Sequence, residues 1–422
     1  MGSTSSTSRT SSTPPREELG GALQRAVDDD FEALQVPWLR RLVDQPSHTY
    51  ARPDVEAAAH IVDECAAELG LIRELHPDPE GRFADHRVYS TAATGPQDRA
   101  LALIGHIDTV FPRSLSFLEF RRELGDDAAY GPGVLDMKSG ITSIFFALRA
   151  LQRAAPGLHA GLRARVVIVS DEEVGSPSSH ALYDRLAPRT TAGLVFESGR
   201  AQDRIVTARK GGGVYTITVH GKAAHAGVDH RAGVNAIHAL ALMIPRIEAL
   251  TDYGRGVTLN VGLIEGGTAK NTVPERASCQ IDARFETVAD ARRVADALQA
   301  LVADPFAGIA EVPEVLRAVR VELRGGVTRP PMEPIPASQS LRLAYEPYAA
   351  AVGLQVGEAK LQGGGSDANL LVALGVPCID GLGPFGEYFH QVREWCSLGS
   401  LRRRTAALAW FLAERGADEF VA

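Results

Sequence analysis

Apolar residues recur at helical spacing over residues 32–42 and 55–69, after which the pattern breaks into shorter units. Apolar runs at 100–104, 164–169 and 193–196 predict strands, with an apolar helix over 138–152 between the first two. Runs that are apolar at every position imply strands buried on both faces. This part of the chain therefore reads as α/β, a mostly parallel sheet with helices on both faces. From residue 213 the rhythm becomes strict alternation, as in VYTITVH at 214–220, with further strands expected at 257–264 and 277–285 and helices at 234–250 and 288–302. Alternation implies an antiparallel sheet covered on one face, hence a smaller α+β unit. Past Gly325, Gly326, Pro330 and Pro331 helical periodicity returns at 341–352 and 401–415. The expected organisation is a disordered tail at 1–20, a core domain in two parts at 21–211 and 328–422, and an inserted domain at 212–327.

Composition narrows the function classes. A chain of 422 residues, 45% hydrophobic and 23% charged, is long enough for two cores. The formal net charge of −8 disfavours nucleic acid and acidic membrane surfaces, which call for a basic field. The longest apolar helix candidate, 141–151, is interrupted by Arg149 and cannot span a bilayer. Cys65, Cys279, Cys378 and Cys396 show no metal-ligand spacing and read as core thiols in a reducing compartment. The first fifteen residues hold no apolar core of a secretory signal, and cytoplasm is the expected location. Gly2 and Ser6 match the loose myristoylation pattern, which any Ser/Thr-rich start meets easily.

The chemistry-bearing motifs follow predicted strands, where an open α/β sheet places its ligand crevice. GHIDTVFP carries His106 and Asp108, in which the imidazole can ligate a metal while the carboxylate orients the ring. AYGPGVLDMKSG carries Asp136 at the end of a glycine-rich loop, where helix capping is the simpler role for a lone residue. VVIVSDEEVGS places three acids after a strand, and carboxylates crowded at a crevice need a cation. Alternation in an extended segment would point Glu172 and Glu173 opposite ways. Glu197 in LVFES and His390 in GPFGEYFHQVREW complete the set. His106, Asp136, Glu173, Glu197 and His390 supply two imidazoles and three carboxylates, which suits two zinc ions sharing one carboxylate.

With these motifs the chain, from about residue 31 onward, resembles the dinuclear zinc peptidase family that includes glutamate carboxypeptidase, aminoacylase, acetylornithine deacetylase and succinyl-diaminopimelate desuccinylase. The resemblance implies that Asp136 bridges two zinc ions, one also held by His106 and Glu197 and the other by Glu173 and His390. Cobalt or manganese are possible substitutes. Glu172 would be the general base and Asp108 the partner of His106. The insert would be a dimerisation domain, and His225 in HGKAAHAG would reach across a homodimer interface to polarise the substrate carbonyl. Asn271, Arg284 and Arg329 match substrate-binding positions, Arg329 as a carboxylate binder. Glu at 197 is similar to the acylase and carboxypeptidase branches, which implies release of an amino acid from an N-acyl amino acid or an N-blocked peptide. A biosynthetic amide-forming or acyl-transfer enzyme, and a metal-retaining binding protein, are the rival readings.

Overall fold

The computed structural model describes residues 16–123 and 125–416. The first sheet draws five strands from the first half of the chain: β1 (Ile72–His76), β2 (His86–Ser90), β3 (Ala100–His106), β4 (Ala164–Val169) and β5 (Thr190–Val195). Four more, β6 (Gly211–His220), β7 (Thr258–Gly266), β8 (Arg276–Phe285) and β9 (Arg320–Arg329), form a second sheet, and β10 (Cys378–Ile379) returns to the first. The first sheet runs in the order β1-β2-β4-β3-β5-β10. Its β4-β3-β5-β10 section is parallel, and β1 and β2 are joined antiparallel at one edge.

Every residue of β3, β4 and β5 is buried, because helices cover both faces. Leu101, Leu103, Val166 and Ile168 pack with helices Arg52–Glu68, Ser139–Ala154 and Leu398–Arg415 on one side. Ala102, Ile104, Val167 and Val169 pack with His180–Leu186 and Asp367–Ala373 on the other. The second sheet, ordered β9-β6-β8-β7, is antiparallel. Along β8 buried positions alternate with exposed or half-buried ones. The buried set, Ala277, Cys279, Ile281, Ala283 and Phe285, joins a separate core under helices Ala236–Glu248 and Val288–Ala303. Asn235 and Thr287 cap these two helices, each accepting from a backbone N–H three residues on.

Three expectations change. Residues 1–15 of the expected tail lie outside the described residues, but Arg16–Gly20 opens a helix, Arg16–Asp30, that buries Leu19, Leu23 and Val27. A Cβ on Gly20 would sit 2.4 Å from the Trp410 ring, so glycine lets this helix lie close against Leu398–Arg415. The helix expected from 138 begins at Ser139, because Val134–Lys138 forms a π turn that buries Lys138 instead. Strands β1 and β2 precede the first strand expected near residue 99. Among the described residues no helix is long and apolar enough to cross a membrane.

Candidate metal centre

The parallel strands deliver their C-terminal ends to one crevice. His106 closes β3, Glu172 and Glu173 follow β4, and Glu197 follows β5. Helix Ser139–Ala154 reaches the same place by close packing, since a Cβ on Gly140 would stand 2.1 Å from the Phe196 carbonyl oxygen. That approach brings Asp136, just before the helix, beside Glu197. His390, far along the chain, closes the ring from a loop where its φ is 63°.

Asp136 stands at the centre. Its Oδ1 lies 3.1 Å from His106 Nε2 and its Oδ2 lies 3.2 Å from His390 Nε2. Each histidine has a further carboxylate of its own: Glu173 Oε2 is 3.0 Å from His390 Nε2, and Glu197 Oε1 is 3.8 Å from His106 Nε2. Ligand bonds of about 2.0–2.1 Å in a tetrahedron set neighbouring donor atoms roughly 3.3 Å apart, so the three shorter spacings suit ligands of a shared cation as well as hydrogen bonds. His106 Nδ1 lies 3.0 Å from the Asp108 backbone carbonyl, which can only accept. The Nδ1 proton is thereby fixed, which leaves Nε2 to donate to Asp136 when the ring is protonated and to offer a lone pair to a cation when it is neutral.

Electrostatics point the same way. Burial pushes Glu173 up to about 7 and Glu197 well above the usual carboxylate range, with Asp136 adding to both. Hydrogen bonds to Asp136 and Glu173 push His390 up to about 11. Burial opposes charge on His106, yet its bonds to Asp108 and Asp136 outweigh this and raise it. Glu173 Oε1 is buried without a hydrogen-bond partner. So much buried negative charge, with one orphaned oxygen, fits divalent cations. Two donor groups are close enough to share an ion, His106 with Glu172 and Glu197, and His106 with Asp136 and Glu173.

Residues 207–309 match the family model described as the peptidase dimerisation domain. Carboxypeptidase G2 of Pseudomonas sp. (strain RS-16) is 26% identical over 406 residues, 96% of this chain and 94% of that one. A succinyl-diaminopimelate desuccinylase of Xanthomonas oryzae pv. oryzae is 28% identical, covering 74% of this chain and 82% of its own length. Along almost its whole length the chain is thus similar to M20-type metallopeptidases. Among solved structures a tripeptidase from Staphylococcus aureus superposes with TM-score 0.72 at 20% identity, covering 91% of this chain and 99% of that one. An M20 family metallo-carboxypeptidase from Sulfolobus solfataricus gives 0.67 at 17%, covering 90% and 98%. These two share the fold. The chain is a metallo-hydrolase of amide and peptide bonds.

The remaining expected residues fall into two groups. Asp108 sits at the centre, but its carboxylate Oδ1 is 3.5 Å from the His106 ring and serves other partners. It accepts from Thr49 Oγ1 at 2.8 Å and from the backbone N–H groups of Glu172 and Glu173 at 3.3 and 3.2 Å. Asp108 thus orients His106 through its main chain and pins the double-Glu turn through its side chain. That turn, Glu172–Val174, is 3-10 helical rather than extended, so its curvature and not strand alternation separates the two carboxylates. Arg329, at the end of β9, is buried with its guanidinium 2.5 Å from Glu172 Oε1, so it meets Glu172 rather than lying open in the cavity.

His225, Asn271 and Arg284 are exposed on the second unit and do not line the cavity formed by the cluster. His225 accepts from the Gly227 N–H, the Asn271 carbonyl accepts from the Ala226 N–H, and Arg284 pairs with Asp282 at 2.9 Å. The cavity itself, about 250 Å³, adds Phe389 beside His390 and residues no short motif revealed: Arg200, Arg209 and the glycines 363–365. Arg209 is held by Asp380 at 2.7 Å and by the Gly364 carbonyl at 3.1 Å. Glu394, buried and pushed up to about 8 by that burial, accepts from the backbone N–H groups of Leu135 and Asp136.

Proposed function

We propose that the chain uses two zinc ions to release an amino acid from an N-acyl amino acid or an N-blocked peptide. The observation that carries this reading is Asp136, each of whose oxygens faces the Nε2 of a different histidine. Asp136 would bridge the ions, with His106 and Glu197 on one and His390 and Glu173 on the other. Divalent ions held there supply Lewis acidity, which acidifies water and polarises an amide carbonyl. Cobalt or manganese would suit the same oxygen and nitrogen donors.

Glu172, beside the ligands but tied to none of the histidines, is the base. It takes a proton from water and hands it to the leaving nitrogen, a role typically worth about 10²- to 10⁴-fold. His225 would come from a second copy, through a homodimer built on residues 212–327, and donate to the oxygen of the carbonyl under attack. The substrate class is supported by the relatives with long coverage, whose names describe a carboxypeptidase and a desuccinylase. Glu rather than Asp at position 197 supports it too.

The test is amino-acid release by zinc-reconstituted protein from N-acyl amino acids and from free-amino dipeptides, with Glu172→Gln as the blank. Release from the acylated set alone supports the proposal. Cleavage confined to dipeptides overturns the substrate class, and no release with either set, alongside amide formation from an amine and an acyl donor, replaces hydrolysis with synthesis.

A further inference from the structure

Glu394 is fully buried and is not among the five donors of the centre, yet it fixes where the middle one stands. Its Oε1 accepts from the backbone N–H groups of Leu135 and Asp136 at 2.7 and 3.1 Å. Gly133, at a φ of 71°, turns the chain just before them, and among the described residues neither N–H has a main-chain acceptor. Adjacent buried donors therefore depend on one side chain, and without it the backbone would have to move to satisfy them. An aspartate side chain is short and its rotamers follow the backbone, so the aim of the Asp136 carboxylate is set by the same contact.

The same segment supplies His390. Trp395–Ser397, directly after Glu394, pairs with Ala128–Tyr130, and the Glu394 carbonyl accepts from the Gly131 N–H at 3.4 Å. The segment is thus anchored at Glu394 and beyond it, whereas the His390 side chain, earlier in the segment, is 46% exposed. One stretch of chain holds Asp136 from both ends: Glu394 at its main chain, and His390 Nε2 at Oδ2, 3.2 Å away. The donors on the other side of Asp136, His106 and Glu197, come from the ends of β3 and β5, which this stretch does not carry.

We propose that Glu394 is a positioning residue that couples the two ion sites. By aiming Asp136 it sets the affinity of the ion held by His106 and Glu197, although its own segment gives a donor only to the other ion. The inference rests on the two-zinc reading above. Residues that support metal ligands in this way are typically worth about 10- to 100-fold in affinity. A mere anchor for the closing segment would affect the ion at His390 and Glu173 alone, whereas Glu394, acting through Asp136, affects both.

The test is zinc binding to the metal-free, full-length protein, followed by calorimetry and independent of turnover. Wild type should take two ions and His390→Ala one, which isolates the ion at His106 and Glu197. Adding Glu394→Asp, which keeps the charge but withdraws the acceptor by one methylene, should weaken that remaining ion by about tenfold or more. Adding Glu394→Gln instead, whose amide oxygen still accepts both N–H groups, should leave it within about threefold. An unchanged affinity with Asp overturns the coupling and leaves Glu394 as an anchor of its own segment. An equal loss with Gln overturns it too, because charge and not aim would then decide. So does a metal-free Asp variant whose circular dichroism departs from wild type, since the residue would then serve the fold at large. A wild type that takes a single ion sinks the two-zinc reading itself and the coupling with it.

Discussion

The two sheets treat their chemistry-bearing residues in opposite ways. At the mouth of the parallel sheet, His106, Asp108, Asp136 and Glu197 are buried and interlocked. On the antiparallel unit His225, Asn271 and Arg284 are exposed, and the first two hydrogen-bond with backbone N–H groups of Gly227 and Ala226. Electrostatics explains the buried set, since carboxylates and imidazoles this close hold cations. Nothing among the described residues explains a histidine displayed on the short exposed strand Ala224–His225. The contrast accords with the proposed site shared between two copies.

The comparison breaks most sharply at Glu172. Glu172→Gln should lower kcat by about 10³-fold while leaving the metal content of the purified protein unchanged, measured by elemental analysis. Loss of metal together with activity would move Glu172 into the ligand set. His225→Ala should lower kcat by about 10²- to 10³-fold with metal retained. Mixing it with Glu172→Gln subunits is the sharper measurement. If His225 acts in its partner's site, half of the randomly reassociated dimers regain one good centre, restoring about a quarter of wild-type activity. No recovery would place His225 in its own chain's chemistry or outside chemistry altogether.

A smaller effect is expected at the sheet edge. Strand β7 leaves Leu263 and Ile264 about 60% and 58% exposed, and it ends the order of its sheet. An apolar unpaired edge invites a second chain. Leu263→Lys should shift sedimentation from dimer toward monomer and lower kcat in proportion to the dimer lost. A full-activity monomer would detach the donor histidine from dimerisation. The smallest effect belongs to stability alone. Thr287→Ala removes the cap of helix Val288–Ala303 and should cost about 1 kcal/mol in denaturant unfolding, with kcat unchanged.

The sequence carried most of this in its periodicities. Uniformly apolar runs mark β3, β4 and β5 because both faces of that sheet are covered, and alternation marks β6 and β8 because one face is. The antiparallel edge strands β1 and β2 escaped notice for a physical reason. In IRELH four of the five side chains lie exposed, so the segment carries no apolar rhythm, and its place is set by pairing with HRVYS. The five metal-type residues are legible because each sits in a short motif beside a strand. Their supports are not. Glu394 holds the backbone at Leu135 and Asp136 across 259 and 258 residues, and Arg209 meets Asp380 across 171, contacts that leave no local pattern. The same holds for Arg329 and Glu172, whose pairing depends on where β9 re-enters the first unit.

Glu394 and His390 sit on one short segment, bracketed by the strands Gly386–Glu387 and Trp395–Ser397, and the second of these pairs with Ala128–Tyr130 just ahead of Asp136. During synthesis, three of the centre's carboxylates and His106 emerge before the antiparallel unit is made, whereas this closing segment emerges after it. A nascent chain therefore presents acidic residues without the second imidazole or the clamp on Asp136. The ring of donors around Asp136 therefore closes only when this segment docks, after residues 207–309, which match the dimerisation-domain model, have been made.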